Sequence, residues 1–219
     1  MPTRSAQEGS RRAAAPARTR LRLPQTRWRW RGCVPAGGRS PEDTRDAILE
    51  AARRLFLTDG LQVTLARVAS EAGVSKGGLI YHFGSKEDLV TALAVRMVHE
   101  FRHEVEERVE ADDAGPGRLV RAYVRVSVDP AADQTLAQER QALEVILGTV
   151  AEVHEIWRAD SRWWKDALAT DGLPELTRDL VIAAADGVWA TVEWGDPYPP
   201  GRTEALRDRL LALTHEWGE

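Results

Sequence analysis

Cysteine and long apolar runs are the two features that this sequence most clearly lacks. Its 219 residues include one cysteine, Cys33, which excludes an intramolecular disulfide and leads us to expect a reducing, cytoplasmic location. The longest apolar run, residues 180–185, is ended by Asp186. Since a membrane-spanning helix needs roughly 20 apolar residues, we expect no membrane partner.

A general excess of positive charge is also absent, because the formal net charge is -4. The charge is nevertheless unevenly distributed along the chain. Residues 1–40 contain ten arginines and one acid, Glu8, whereas the remaining 179 residues contain 20 basic and 33 acidic side chains. Nucleic-acid binding requires a local basic surface rather than a basic protein, so this composition does not exclude it.

The first 39 residues differ in composition from the rest, being rich in arginine, alanine, proline and glycine. No apolar face recurs there at helical spacing, so we expect a disordered basic extension over residues 1–39. Three interpretations of it stay open. They are an accessory tail or a misassigned start, a basic arm that contacts DNA, and a targeting peptide.

Residues 40–90 carry the start and stop signals of a three-helix domain. The run Ser40-Pro41-Glu42-Asp43 predicts a helix start with a hydroxyl cap, an early proline and acids near the positive end. Thr64 predicts the start of a short second helix, which ends at the turn residue Gly73. Ser75 then caps a third helix, and Ser85 begins a fourth. Two short helices joined by a tight turn predict a helix-turn-helix that binds DNA.

The third of these helices is short, polar at its start and aromatic at its end, which suits insertion into a major groove. Its first amide groups and Ser75 can bind phosphate. Lys76 and Tyr81 can reach base edges or the DNA backbone. Lys86, in the first turn of the next helix, is expected to hold a phosphate.

The whole run over residues 64–89, TLARVASEAGVSKGGLIYHFGSKEDL, resembles the DNA-binding signature of the tetracycline-repressor (TetR) family, and the likeness extends over about residues 41–98. The resemblance implies that DNA is contacted by Thr64, Ser75, Lys76, Gly78, Tyr81, His82 and Lys86. His82 could equally touch phosphate or pack under its own helix. Ile80 departs from the pattern, because an aromatic residue is frequent there, and this puts one hydroxyl-to-phosphate bond in doubt.

The remaining residues, 91–219, show helical periodicity and no strand-like alternation of useful length. Helices are predicted at 119–128, 134–157, 162–169, 174–194 and 203–217. The fold class is therefore predicted to be all-α, with the N-terminal helix-turn-helix domain followed by a C-terminal helical bundle for ligand binding and dimerisation. The last two predicted helices are the dimerisation candidates, because they carry a stripe of small residues and leucines. The resemblance implies a four-helix dimer interface of this kind.

Six of the eight tryptophans lie in this bundle, more than its core needs. We expect Trp157, Trp164 and Trp189 to line a cavity for a flat or apolar small-molecule effector. Polar groups expected near them are Arg140, His154, Arg158 and Asp186.

Taken together, these features predict a non-enzymatic homodimeric transcription regulator without cofactor, catalytic residue or bound metal. It is expected to be a repressor that a small molecule releases from a palindromic operator on double-stranded DNA. An activator with the same fold is an alternative. A second alternative is a zinc peptidase, because His99-Glu100-Phe101-Arg102-His103 has the H-E-x-x-H pattern that binds zinc on a helix.

Overall fold

The computed structural model describes residues 39–111, 113–129, 134–193, 198–199 and 201–216, and at 134–137, 189, 192 and 193 it describes the backbone alone. Nearly all of this part is helical, and the predicted all-α fold is confirmed. The predicted extension lies outside the described residues, except for Arg39. The helices are α1 (Pro41–Asp59), α2 (Leu65–Ala72), α3 (Lys76–His82), α4 (Lys86–Glu107), α5 (Arg118–Val128), α6 (Gln134–Leu147), α7 (Ala151–Ala169), α8 (Glu175–Glu193) and α9 (Arg202–Leu213).

The first four helices all begin at the hydroxyl residues that the sequence indicates. The Ser40 hydroxyl oxygen accepts from the Asp43 amide at 3.0 Å, and the Asp43 carboxylate accepts from the Ser40 amide in return. Thr64, Ser75 and Ser85 each accept an amide hydrogen bond from the third residue of their own helix. Each cap satisfies one backbone donor that the helix leaves without a partner. The predicted starts of α1 to α4 are therefore confirmed.

The turn between α2 and α3 depends on Gly73. Its φ of 67° and ψ of 35° place it in the left-handed region, where a side chain is strained, and its amide donates to the carbonyls of Ala69 and Ser70. The turn therefore closes α2 and leaves α3 at a fixed angle. Val68, Ala69 and Leu79 are buried beneath the two helices, so the predicted helix-turn-helix has its own small core.

The helix predicted over residues 134–157 is wrong, because α6 ends at Leu147 and α7 begins at Ala151 and continues to Ala169. The break lies at Gly148, against which the ring of Trp157 packs. A Cβ added at Gly148 would lie 2.7 Å from that ring. The Val150 amide donates to the Leu147 carbonyl at 3.0 Å and closes the turn. This packing of α7 against the turn cannot be read from helical periodicity.

Two buried clusters form the interior. The first contains the apolar faces of α1 to α4, and Leu143, Leu147 and Val153 of α6 and α7 complete it. The second joins Val105 at the end of α4 to α5, the later part of α7, α8 and α9. The core beneath the helix-turn-helix thus extends into the C-terminal bundle through the α6–α7 turn. No helix in the described ranges combines the length and apolar character that crossing a membrane requires.

Candidate functional site

Helix α3 has one buried side chain, that of Leu79, and most of its other residues are exposed. Tyr81 is 85% exposed and Ile80 is 44% exposed. Lys76 and Gly77 are exposed at the first turn. A large tyrosine left almost entirely in solvent contributes little burial to the fold.

The hydroxyl groups of Thr64 and Ser75 both serve as helix caps. The Thr64 oxygen accepts from the Arg67 amide at 3.3 Å, and the Ser75 oxygen accepts from the Gly78 amide at 3.0 Å. Each hydroxyl hydrogen can still be donated to a phosphate. Gly78 is close to its cap, since a Cβ there would lie 3.2 Å from the Ser75 oxygen.

His82 and Lys86, also predicted DNA contacts, have partners within the chain. The His82 ring is half-buried and packs edge to face on Tyr81, with the ring centroids 5.3 Å apart. The Lys86 ammonium donates to the carbonyl of Leu61. This bond ties α4 to the turn after α1, so Lys86 would have to exchange or share it to hold a phosphate.

Basic side chains that the sequence reasoning did not single out also lie around this surface. The Arg39 guanidinium donates to the Ala72 carbonyl at 2.9 Å, beside the turn between α2 and α3. Arg45 lies over the Phe83 ring at 5.0 Å, and the exposed Arg67 pairs with Asp59 at 2.8 Å. A count of positive charge along the chain could have drawn attention to them, but their positions depend on the fold.

A cavity of about 460 Å³ lies between α4, α5, α6, α7 and α8. This volume falls within the range of ligand pockets. It is lined by Met97, Val98, Phe101, Tyr123, Ser127, Arg140, Glu144, Trp157, Asp160, Ser161, Trp164, Lys165, Leu168, Ile182 and Asp186. Met97 belongs to the first buried cluster, and Trp164 and Leu168 belong to the second. The cavity therefore lies at the boundary between the two cores.

Two of the three predicted tryptophans, Trp157 and Trp164, line this cavity, and the side chain of Trp189 lies outside the described residues. Arg140 and Asp186 also line it, as expected. His154 and Arg158 do not. His154 contacts the Gly148 carbonyl at 3.3 Å, and Arg158 pairs with Glu155 at 3.0 Å on the outer surface.

Two charges in the cavity wall are neutralised by the protein. Asp160 accepts from the Arg102 guanidinium at 2.7 Å, and Arg140 donates to Glu104 at 2.9 Å. Burial raises the pKa of Asp160, and Arg102 partly offsets this effect. The buried Trp164 indole N–H lies near enough to lower the same pKa, although it makes no hydrogen bond of normal geometry.

The sequence reasoning missed Tyr123, whose hydroxyl donates to the Asp186 carboxylate at 2.8 Å across the cavity. Burial raises the pKa of Tyr123, and the charge of Asp186 adds to the effect. Burial also raises the pKa of Asp186, and the Tyr123 hydrogen bond lowers it. The pair lies at one end of an aromatic wall in which Phe101, Tyr123 and Trp164 pack edge to face, with centroids 5.0–5.7 Å apart.

The H-E-x-x-H segment lies on α4 and enters ordinary ion pairs. His103 lies 3.3 Å from Glu107, and the central Glu100 lies 3.3 Å from Arg96. Within the described ranges no group of three or more histidine, cysteine, aspartate or glutamate side chains could hold a metal ion. A catalytic zinc site needs three protein ligands, so this geometry gives the peptidase interpretation no support.

Two family profiles match this chain, one over its N-terminal part and one over its C-terminal part. Residues 48–93 match the profile of bacterial regulatory proteins of the tetR family. Residues 117–215 match the profile of the tetracyclin repressor-like C-terminal domain. The chain belongs to the TetR family. This confirms the family that the residue pattern around α2 and α3 indicates.

Individual relatives match over different lengths. The transcriptional repressor AcnR of Corynebacterium glutamicum is 43% identical over 60 residues, which cover 27% of this chain and 32% of AcnR. The chain thus spans about a third of that relative. The repressor KstR2 of Mycolicibacterium smegmatis is 25% identical over 190 residues, covering 79% of this chain and 89% of KstR2. The crystal structure of the multidrug-binding protein EbrR with malachite green shares the fold, at 24% identity and a TM-score of 0.59, covering 78% of this chain and 97% of EbrR.

Proposed function

We propose that this TetR-family chain is a transcription repressor. Two copies bind a palindromic operator through their α3 helices and release it when a small molecule occupies the cavity. The observation that carries the proposal is the exposed surface of α3, where Lys76 and Tyr81 project from a helix fixed by the Gly73 turn. The protein acts through binding and not through catalysis.

The contacts with DNA divide into two kinds. Lys76 and Tyr81 reach base edges in the major groove, and the hydroxyls of Thr64 and Ser75 position the domain by donating to phosphates. Gly78 permits close approach of the DNA backbone, because it presents no side chain. His82 supports Tyr81 through the ring contact between them. Lys86 contributes a charge near the same surface.

A second copy of the chain is expected to pack on α8. Leu176 and Leu180 are 82% and 58% exposed, and Ala183 and Gly187 continue the same face outward. An exposed apolar stripe with small residues allows close helix approach in a two-fold dimer. Such a dimer presents two α3 helices to half-sites about 34–36 Å apart.

The response to an effector follows from the position of the cavity between the two cores. A ligand there touches Met97 of α4 and Trp157 of α7, both of which pack with the core beneath the helix-turn-helix. Helix α6 is further tied to α1 by the Arg53–Glu139 ion pair at 2.8 Å. A ligand that shifts these elements changes the spacing of the two α3 helices, with a coupling of typically about 1–3 kcal/mol.

The experiment is selection of bound duplexes from a random pool, run with the full chain and with a version that begins at Ser40. A recovered palindrome bound by both proteins supports the proposal and makes the basic extension dispensable. A palindrome recovered with the full chain alone makes the extension a DNA contact. Recovery of no preferred sequence with either protein contradicts the proposal.

A further inference from the structure

We propose that the cavity selects a flat aromatic cation, with the positive charge at the Asp186–Tyr123 pair and the ring system against Phe101, Trp157 and Trp164. This inference rests on the proposed function, in that the cavity is taken as the effector site. It adds the chemical class of the effector. Two observations support it, the charge of Asp186 and the rings of the wall, and the one lysine in the wall is weighed against them.

Asp186 is a charged residue of the cavity wall for which the described part of the chain supplies no counter-ion. Its described hydrogen-bond partner is the neutral hydroxyl of Tyr123 at 2.8 Å, and no lysine, arginine or histidine among the described residues pairs with it. The carboxylate stays accessible to solvent, yet the surrounding protein raises its pKa. A partly desolvated carboxylate gains stability when a cation approaches it. The neighbouring Asp160 already has Arg102 and offers no such gain.

One ring of the aromatic wall already has a cation over it, since Arg140 lies over the Phe101 ring at 5.7 Å. Outside the cavity lining, the Arg102 guanidinium lies over the Trp163 ring at 3.8 Å. Positive charge over a ring face is favoured by the ring quadrupole, and more so where water is excluded. Phe101, Tyr123 and Trp164 meet edge to face and all three line the cavity, so a planar ligand that carries charge would pack against aromatic side chains.

Lys165 is the feature that favours an anion instead. The residue is exposed, and a lysine side chain is long enough to carry its ammonium out of the cavity into water. Asp186 has a short side chain held by Tyr123 and cannot withdraw in that way. We therefore assign the dominant recognition to the carboxylate, and a matched anionic probe tests this assignment.

The test is calorimetric titration of the full chain with three probes of one shape: the naphthylmethyl-trimethylammonium cation, neutral naphthylmethanol and the naphthylacetate anion. We expect the cation to bind at least tenfold more tightly than the neutral probe, and the anion to bind most weakly. The isosteric change Asp186→Asn should remove the preference for the cation and leave the affinity for naphthylmethanol unchanged. Glu152→Gln, an exposed acid of α7 outside the cavity, should leave all three affinities unchanged.

Tightest binding of the anion, unchanged cation affinity in Asp186→Asn, or binding of none of the probes would overturn the inference. Thermal unfolding of each variant shows whether the fold is retained, and Tyr123→Phe supplies a second variant that should keep the cation preference because the carboxylate remains. Operator binding by the same samples separates the two proposals. Specific operator binding without a cation preference contradicts this inference alone, whereas a cation preference without an operator contradicts the proposed function alone.

Discussion

The helices before residue 108 and those after it begin in different ways. Helices α1 to α4 each start at a serine or threonine whose oxygen accepts an amide hydrogen bond. Helices α5 and α9 start at Gly117 and Gly201, and α7 starts at Val150, and none of these three residues caps its own helix with a side chain. The start of α5 is instead held by distant residues: the Asp171 carboxylate accepts from the Val120 amide at 2.8 Å, and Arg121, which is 2% exposed, donates to the Thr214 hydroxyl. The helix starts of the DNA-binding part are thus specified locally, whereas the start of α5 depends on residues distant in sequence.

The largest expected loss of stability comes from breaking the ion pair between Arg121 and Asp113. The Nε and Nη2 atoms of the guanidinium donate to the two carboxylate oxygens at 2.7 and 2.5 Å. Asp113→Asn leaves a buried guanidinium without its counter-charge, and we expect the free energy of unfolding in urea to fall by about 3–5 kcal/mol. The matched surface change, Glu155→Gln beside the exposed Arg158, should cost about 0–1 kcal/mol. Equal losses in both variants would show that burial of the Arg121–Asp113 pair adds nothing to its contribution.

The same pair predicts a pH dependence. The hydrogen bond from Arg121 holds the pKa of Asp113 below its usual value of 3.8. The stability from the ionised pair is therefore fully present above the unfolded-state pKa and is lost as pH falls through the lower folded-state pKa. Urea unfolding at pH 6 and at pH 3 should show an acid loss in the wild type that is smaller in Asp113→Asn. A larger acid loss in the variant would contradict the assignment.

Glycine at the start of α5 is the next feature to test. Gly117 has a φ of +86°, and an added Cβ would lie 2.8 Å from the Arg121 guanidinium and 2.9 Å from Leu173. Gly201 has a φ of +80° with nothing within 4 Å. We expect Gly117→Ala to destabilise by about 3 kcal/mol, from backbone strain plus overpacking, and Gly201→Ala by about 1 kcal/mol, from strain alone. A similar loss in both variants, measured by urea unfolding, would show that the contact with Arg121 is unimportant.

The smallest effect is expected at a hydroxyl cap. Ser40→Ala removes the acceptor for the Asp43 amide and should lower the free energy of unfolding by about 1 kcal/mol. Ser40→Gly should lower the free energy of unfolding by only about a few tenths of a kcal/mol, because glycine is tolerated at this position. Chemical denaturation of both variants checks the difference. Identical losses would argue that the Ser40 hydroxyl does not stabilise the start of α1.

The same contrast explains which parts of the fold the sequence could predict. Ser40, Thr64, Ser75 and Ser85 identify their helix starts because each cap is read from its immediate neighbours. The break at Gly148 was missed because the ring of Trp157 packs there after the chain has turned, and a periodic apolar pattern runs through the turn. Local signals therefore sufficed for the DNA-binding helices and failed at a contact made by tertiary packing.

The cavity shows the same limit for the candidate sites. The abundance of tryptophan drew attention to Trp157 and Trp164, which line the cavity, but it could not separate Trp164 from Trp163, which stacks on Arg102. Tyr123 was missed because its role depends on Asp186, 63 positions later in the chain. Composition can indicate an aromatic site. Which polar groups pair within that site can be known only from how the helices pack.

The central claim is that α3 reads DNA, and the most direct test is the affinity of the selected operator for three variants. Tyr81→Ala and Lys76→Ala should each weaken binding by tenfold or more, corresponding to about 1–3 kcal/mol for a lost base contact. Their unfolding free energies should change by less than about 0.5 kcal/mol, because both side chains are exposed. Arg158→Ala, which removes an exposed cation far along the chain on α7, should bind like the wild type. Equal operator affinity in all three variants would contradict the account.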